Sequence, residues 1–435
     1  MLKIKHSKFS ISLYFTFILL NLFIVNLFTP PVFASTQGVF TQYKNRLTQI
    51  RIVDKTTNSK TTIGSGFFVN NKGLIATNYH VISKHVFEPN QYRIEFVLHD
   101  RKKTKKVYPA KLINFDVIHD LALLETNLKN TPFLKLNKKS LKKGEKIFSI
   151  GNPHDLGMAI ITGTYNGLTN DSMNKRIHLS SAINSGMSGG PSITSTGEII
   201  GVNVASAGNQ IGFLVPVNYL RNLLKKHAIP KSKITAKQFI PEISLQLLAN
   251  QTLYISKILS SPFKTKKLGK YEVPDKLANY LTCWGDSETK ELPYKASQNS
   301  CATKNDIYLA QGFTTGDIHY SHTHISSKDM NVFRFSHVLQ NYFKRPDVLL
   351  TGKKKYFTNY ECKTDFIEND SMKFKLSFCL RGYKHLKNVY DMILTAASLN
   401  ENHTGIQTNL ILAGISYENA NLFSKKYLEA FSWTP

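Results

Sequence analysis

Three distant segments carry residue types that could do chemistry together. A serine lies in Asn184-Ser185-Gly186-Met187-Ser188-Gly189-Gly190-Pro191, a histidine in Thr77-Asn78-Tyr79-His80-Val81, and an aspartate in His119-Asp120-Leu121-Ala122-Leu123-Leu124. A serine hydroxyl is a poor nucleophile until an imidazole takes its proton, and that imidazole needs a carboxylate to fix its tautomer. His80, Asp120 and Ser188 answer that need, each in an apolar, strand-like setting. The chemistry is acyl transfer. Glycines 186, 189 and 190 permit a sharp turn that would aim the amides of Gly186 and Ser188 at a developing oxyanion. His119 is no rival base, because as the neighbour of Asp120 on a strand it would point elsewhere.

These side chains need a rigid frame. Residues 36–217 read as short strands between Gly- and Asn-rich turns, with almost no long helical periodicity. One group of six runs Leu47–Val53, Gly64–Val69, Leu74–Asn78, Tyr92–Leu98, Val107–Phe115 and Leu121–Thr126. The other runs Lys146–Gly151, Ala159–Leu168, Ile177–Ala182, Gly190–Thr194, Glu198–Ala205 and Ile211–Val217. Two groups of six predict an all-β double β-barrel, with His80 and Asp120 on the first barrel and Ser188 on the second. The apolar spacing of Leu220, Leu223 and Leu224 predicts a helix over Val217–Ala228 that closes a domain at 36–228.

Residues 229–238, centred on Pro230-Lys231-Ser232-Lys233, read as a linker, and 239–435 as a smaller α+β accessory domain. Its helices are expected over Phe239–Ile258, Asn331–Phe343 and Glu418–Trp433. The last two each follow a strand-like run, hinting at a repeated strand-then-helix unit. Cys283, Cys301, Cys362 and Cys379 all lie here. Their even number and spacings of 18 and 17 residues favour the disulfides Cys283–Cys301 and Cys362–Cys379, although the sequence leaves three pairings open. Asp317, His319, His322 and His324 form i, i+2 pairs that could face a metal from a strand; the ordinary reading is a polar strand face, and no metal site is expected.

At the N-terminus, Lys3, Lys5 and Lys8 precede the apolar stretch Phe9–Phe28, and Val32-Phe33-Ala34 offers a cleavage site, so 1–34 reads as a signal peptide for export to the periplasm or the cell exterior. An uncleaved anchor is the alternative, since the stretch is about as long as a membrane span. Removing it lowers the formal charge from +27 to +24. Basic clusters such as Arg101-Lys102-Lys103-Thr104-Lys105-Lys106 could attract anionic cell-envelope polymers. Lysine outnumbers arginine 47 to 9, which also fits a coding bias, and nucleic acid is not the expected partner of an exported chain.

Residues 40–228 resemble the HtrA/DegP-like branch of the trypsin-like, chymotrypsin-fold serine proteases. The resemblance rests on Gly64-Ser65-Gly66-Phe67, on Leu74 through Val81, on Asp120-Leu121-Ala122-Leu123-Leu124, and on Ile150-Gly151-Asn152-Pro153 with Thr162-Gly163. It continues through Ala182-Ile183-Asn184 to Pro191, Gly201-Val202-Asn203, and Ile211-Gly212-Phe213-Leu214-Val215-Pro216. It implies that Ser188 attacks, His80 serves as general base and then acid, Asp120 orients it, and the Gly186 and Ser188 amides form the oxyanion hole, without a cofactor. Ala182, Ile183 and Val204 would line the substrate pocket; Ala182 stands where a buried Asp would select basic residues, so small or medium apolar side chains are expected there. Two departures matter. Met187 replaces the Asp or Asn usual before the serine, and nothing after Ile229 resembles a PDZ domain.

The expected protein is an exported serine endopeptidase acting on protein or peptide substrates. The alternative is a catalytically weak or inactive protease-fold scaffold whose basic C-terminal domain binds cell-envelope or host polymers. The sequence does not reveal an oligomeric state.

Overall fold

A computed structural model describes residues 35–99, 105–206, 210–229, 233–287, 292–304, 306–344 and 352–434. The signal segment 1–34 and linker residues 230–232 lie outside them. Helix α1 (Thr36–Tyr43), capped by the Ser35 side chain, leads into β1 (Leu47–Asp54), β2 (Lys60–Phe68), β3 (Ile75–Thr77), helix α2 (Tyr79–Phe87), β4 (Tyr92–His99), β5 (Lys105–Asp116) and β6 (Leu121–Glu125). These strands close into a barrel in the order β1-β2-β3-β6-β5-β4. Alternating apolar residues such as Ile50 and Ile52 point inward, where Phe68 and Phe96 meet edge to face at 6.3 Å.

The second group comprises β7 (Lys135–Leu136), β8 (Lys146–Gly151), β9 (Ala159–Leu168), β10 (Ile177–Leu179), β11 (Pro191–Ile193), β12 (Glu198–Ser206) and β13 (Gly212–Pro216). Pairing of β11 with β12 closes six of them into a second barrel, and β7 adds in parallel beside β12. Helix α3 (Val217–Ala228) seals it with Leu220 and Leu223. All twelve expected strands are present. The setting of His80 differs from the strand-like one expected: it sits in the first turn of α2, where the β-branched pair Val81-Ile82 imitates a strand.

Beyond the linker stand α4 (Phe239–Leu259), β14 (Thr265–Leu268), β15 (Tyr271–Pro274), β16 (Leu281–Ser287), β17 (Lys295–Thr303), β18 (Ile307–Ala310), β19 (Phe313–Thr315), β20 (Ile318–Ser326) and α5 (Val332–Lys344). The chain ends through β21 (Glu361–Glu368), β22 (Lys373–Gly382), β23 (Tyr390–Ser398), β24 (Thr404–Ile415), α6 (Tyr417–Glu429) and β25 (Ser432–Trp433). Seven of these strands form an antiparallel sheet, β16-β17-β20-β24-β23-β22-β21. Neighbours Ala396 and Ala397 join different apolar clusters, one with α4 and α6 and one with α5, so helices cover both faces. The two disulfides join register-paired residues, Cys283 to Cys301 and Cys362 to Cys379, and each ties an edge strand to its inner neighbour. The last β-strand before α5, and likewise before α6, gives the strand-then-helix recurrence seen in the sequence.

The histidine cluster is divided between the faces of β20. His322 and His324 lie on the α6 side, with His322 Nε2 against the Pro274 carbonyl (2.9 Å) and Nδ1 against Thr408 Oγ1 (3.0 Å); burial lowers its pKa to about 3. Among the described residues no group of three or more His, Cys, Asp or Glu is placed to hold a metal.

Asp317 is a costly acid of this domain. Burial, reinforced by Asp306 and Asp391, raises its carboxyl to about 6 from the ordinary 3.8. The folded state therefore holds a proton that the unfolded chain releases. This group's penalty is absent below pH 3.8, grows as pH rises towards 6, and is fully present above it. Asp317→Asn is expected to raise stability by about 3 kcal/mol at pH 7.5, at roughly 1.4 kcal/mol per pKa unit, with little change at pH 4. Urea midpoints at the two pH values test this; equal effects would refute it.

Candidate active site

Helix α2 begins after Asn78, which follows β3 in extended conformation, and this places His80 one residue inside the helix. Asp120 sits in the turn before β6 with φ of 61°, a left-handed conformation that a non-glycine residue adopts only when held there. The buried Asn78 amide does part of the holding by donating to the Asp120 carbonyl at 2.7 Å. The Asp120 carboxylate then takes two bonds from one residue: Oδ1 accepts the His80 backbone N–H (2.8 Å) and Oδ2 meets His80 Nδ1 (2.7 Å). At 6% exposure Asp120 is shielded from water, and its two bonds fix both position and ring orientation.

His119 does point away, although from a turn rather than a strand. Its Nδ1 meets Asp116 at 2.7 Å and its ring stacks on Tyr219 at 3.7 Å. Arg176, directly before β10, crosses from the second barrel to donate to the His119 carbonyl at 3.0 Å, bracing the peptide that precedes Asp120.

The Ser188 loop is held by its carbonyls. In a trans peptide the C=O and N–H point in opposite directions. The Ser185 carbonyl accepts the His154 N–H (2.9 Å), which turns the Gly186 amide away from that contact. The Met187 carbonyl accepts the Gly190 N–H (3.0 Å) and Asn203 Nδ2 (3.3 Å), which does the same for the Ser188 amide. Neither of these two amides donates to a protein acceptor among the described residues, so a pair of N–H groups stands available for a developing negative charge. Ser65 Oγ donates to the Gly186 carbonyl at 2.7 Å from the first barrel. Gly186 and Gly189 have φ of 91° and 85°, and a Cβ at either would strike Asn152 O or Ser65 O.

Asp155 fastens the neighbouring loop across the barrels. Lys60 first, then Gln49, hold its carboxyl down to about 2, with N···O distances of 2.5 Å each. Its neighbour His154 provides the amide that pins Ser185.

Ser188 Oγ donates to the Val204 carbonyl at 2.7 Å, and among the described residues no hydrogen bond joins it to His80. Val204 lines a cleft of about 1000 Å³ that also contains His80 and Asp120. The other pocket candidates lie elsewhere: Ala182 is half-buried beside the loop, and Ile183, 3% exposed, packs with Met187 among Ile147, Ile177, Leu179, Ile200 and Leu214. Sequence reasoning missed Asn78, Ser65, Asn203 and Arg176 as positioning groups. Asn78 alone carried a signal, as an Asn directly before a helix start.

The fold is thus a chymotrypsin-like double barrel with His and Asp on one barrel and Ser on the other. Residues 64–202 match the family model described as a trypsin-like peptidase domain, and this part of the chain is a trypsin-fold domain related to the HtrA/DegP proteases. The serine protease HTRA2, mitochondrial, of Drosophila virilis is 32% identical over 183 residues, 40% of this chain and 41% of that protein. A probable periplasmic serine endoprotease, DegP-like, of Chlamydia muridarum is 34% identical over 164 residues, 35% of this chain and 31% of that protein. The chain therefore spans less than half the length of these relatives. The crystal structure of a serine endoprotease from Yersinia pestis aligns over 44% of this chain and 66% of its own, with 24% identity and a TM-score of 0.38.

Proposed function

We propose that this protein is an exported serine endopeptidase that hydrolyses peptide bonds through an acyl-enzyme. The observation that carries the reading is the doubly bonded His80–Asp120 pair in a cleft also lined by Val204, whose carbonyl accepts the hydroxyl of Ser188 from a loop with two unengaged amides. Ser188 attacks after its hydroxyl turns about the Cα–Cβ bond from the Val204 carbonyl to His80 Nε2. His80 takes the proton and later returns it to the leaving amine, while Asp120 balances the imidazolium. The Gly186 and Ser188 amides receive the oxyanion. The two disulfides belong to an oxidising compartment, in keeping with export to the periplasm or beyond. Substrates are proteins or peptides with a small or medium apolar residue before the scissile bond.

The scaffold alternative drew on Met187 and on the missing PDZ domain, and the burial of the Met187 side chain under the loop weakens the first of these supports. A fluorophosphonate probe separates the two readings. Labelling of the wild-type protein and none of Ser188→Ala is expected; a folded wild type that takes no label would return the scaffold.

A further inference from the structure

The catalytic cleft is not built by the barrels alone. Val117, Ile118, His178, Val204 and Phe213 face Lys304, Asp306, Ile307 and Tyr308 of the C-terminal domain across it. The Tyr308 ring stands edge-on to His80 with centroids 6.0 Å apart, and Ser83 of the same helix reaches its hydroxyl.

This part of the C-terminal domain is fixed. Ile307, Leu309, Ala310 and Phe313 of the β18–β19 hairpin share one apolar core with Tyr79, Ile82 and Val86 of α2. The Tyr79 hydroxyl donates to the Leu309 carbonyl at 3.0 Å, and Phe87 meets Phe313 at 6.0 Å. From the other side, Gln246 of α4 clamps the strand leading to Asp120, donating to Phe115 O (2.9 Å) and accepting from Val117 N (2.8 Å). Removing such a surface would expose a core, so it is a wall and not a lid.

An extended substrate could add to the open edge of β12 at Val204–Ser206, where Ala205 and Ser206 pair with β13 on the other side. Side chains of an extended chain alternate. If the residue before the scissile bond enters the second-barrel pocket beside Val204, the one before it turns towards the first barrel and meets His80 and Tyr308. We propose that Tyr308 closes this subsite and restricts the second residue on the acyl side to small side chains, making the C-terminal domain a specificity element of the protease. This rests on the peptidase reading above.

Peptides differing only at that position, Ala against Phe, test it on the full chain. Wild type is expected to favour Ala by at least about tenfold in kcat/KM, a discrimination within reach of one apolar pocket. Tyr308→Ala should bring the ratio below about threefold by accelerating the Phe peptide, and Tyr308→Phe should keep the wild-type ratio. An absent preference in wild type, an unchanged ratio in Tyr308→Ala, or an equal loss in Tyr308→Phe would each overturn the inference while Ser188-dependent cleavage persists. Absence of any cleavage that depends on Ser188 would overturn the peptidase reading and this inference with it.

Discussion

Exchange of Asp120 for asparagine is expected to lower kcat about 10⁴-fold and leave the fold intact. The carboxylate accepts two donors from His80, the backbone N–H at 2.8 Å and Nδ1 at 2.7 Å. An asparagine side chain can keep the first bond through its oxygen, and so preserve the start of α2. Its amide nitrogen then faces Nδ1 and forces that atom to accept, which moves the ring proton to Nε2. With Nε2 protonated the imidazole can no longer receive the Ser188 proton. Because size and backbone contact are conserved, the unfolding midpoint should move little. Turnover of a peptide substrate by wild type and Asp120→Asn at one pH is the measurement, and a loss smaller than about 100-fold would show that His80 does not depend on this carboxylate.

The second large effect concerns stability. Met187→Asn, which installs a residue usual in the HtrA/DegP-like proteases, is expected to destabilise this protein by about 2–5 kcal/mol. In those relatives a polar side chain helps lock the oxyanion loop. Here Met187 is fully buried against Ile147, Ile177, Leu179, Ile183, Ile200 and Leu214, so the lock is apolar packing. An amide placed in that cluster would lose the thioether's contacts and bury two polar atoms among hydrocarbon. The loop would loosen as well, and kcat should fall with the stability. Urea unfolding at constant m reports the change; a shift below about 1 kcal/mol would mean that the loop can reorganise around a polar group.

Much of the barrel fold was legible because its strands alternate in short runs between turn residues. Lys146–Gly151 and Ala159–Leu168 have the expected bounds, as does the helix over Val217–Ala228. The disulfide pairing was also legible, since spacings under twenty residues suit hairpins whose cysteines face each other in register. Helix α2 was missed because nine residues with a β-branched core carry too little periodicity to separate from a strand. The triad candidates could be named from types and order. The groups that hold them could not: Ser65, Arg176 and Gln246 act across more than 50 residues of chain through one or two side-chain bonds each, which leave no local pattern. Met187 was read only as a departure from the Asp or Asn usual before the serine, because burial is a property of the fold and not of the loop sequence.

The core shared by α2 and the β18–β19 hairpin changes what the linker means. By sequence it separates two modules; by energetics it joins two parts of one cooperative body. Cutting the chain there would bare Tyr79, Ile82 and Val86 on one piece and Leu309 and Phe313 on the other, and would strip support from the helix that bears the base. The barrel pair that holds His80, Asp120 and Ser188 is therefore not a portable cassette, and its accessory half could be exchanged in evolution only for a successor offering an equally complementary greasy face.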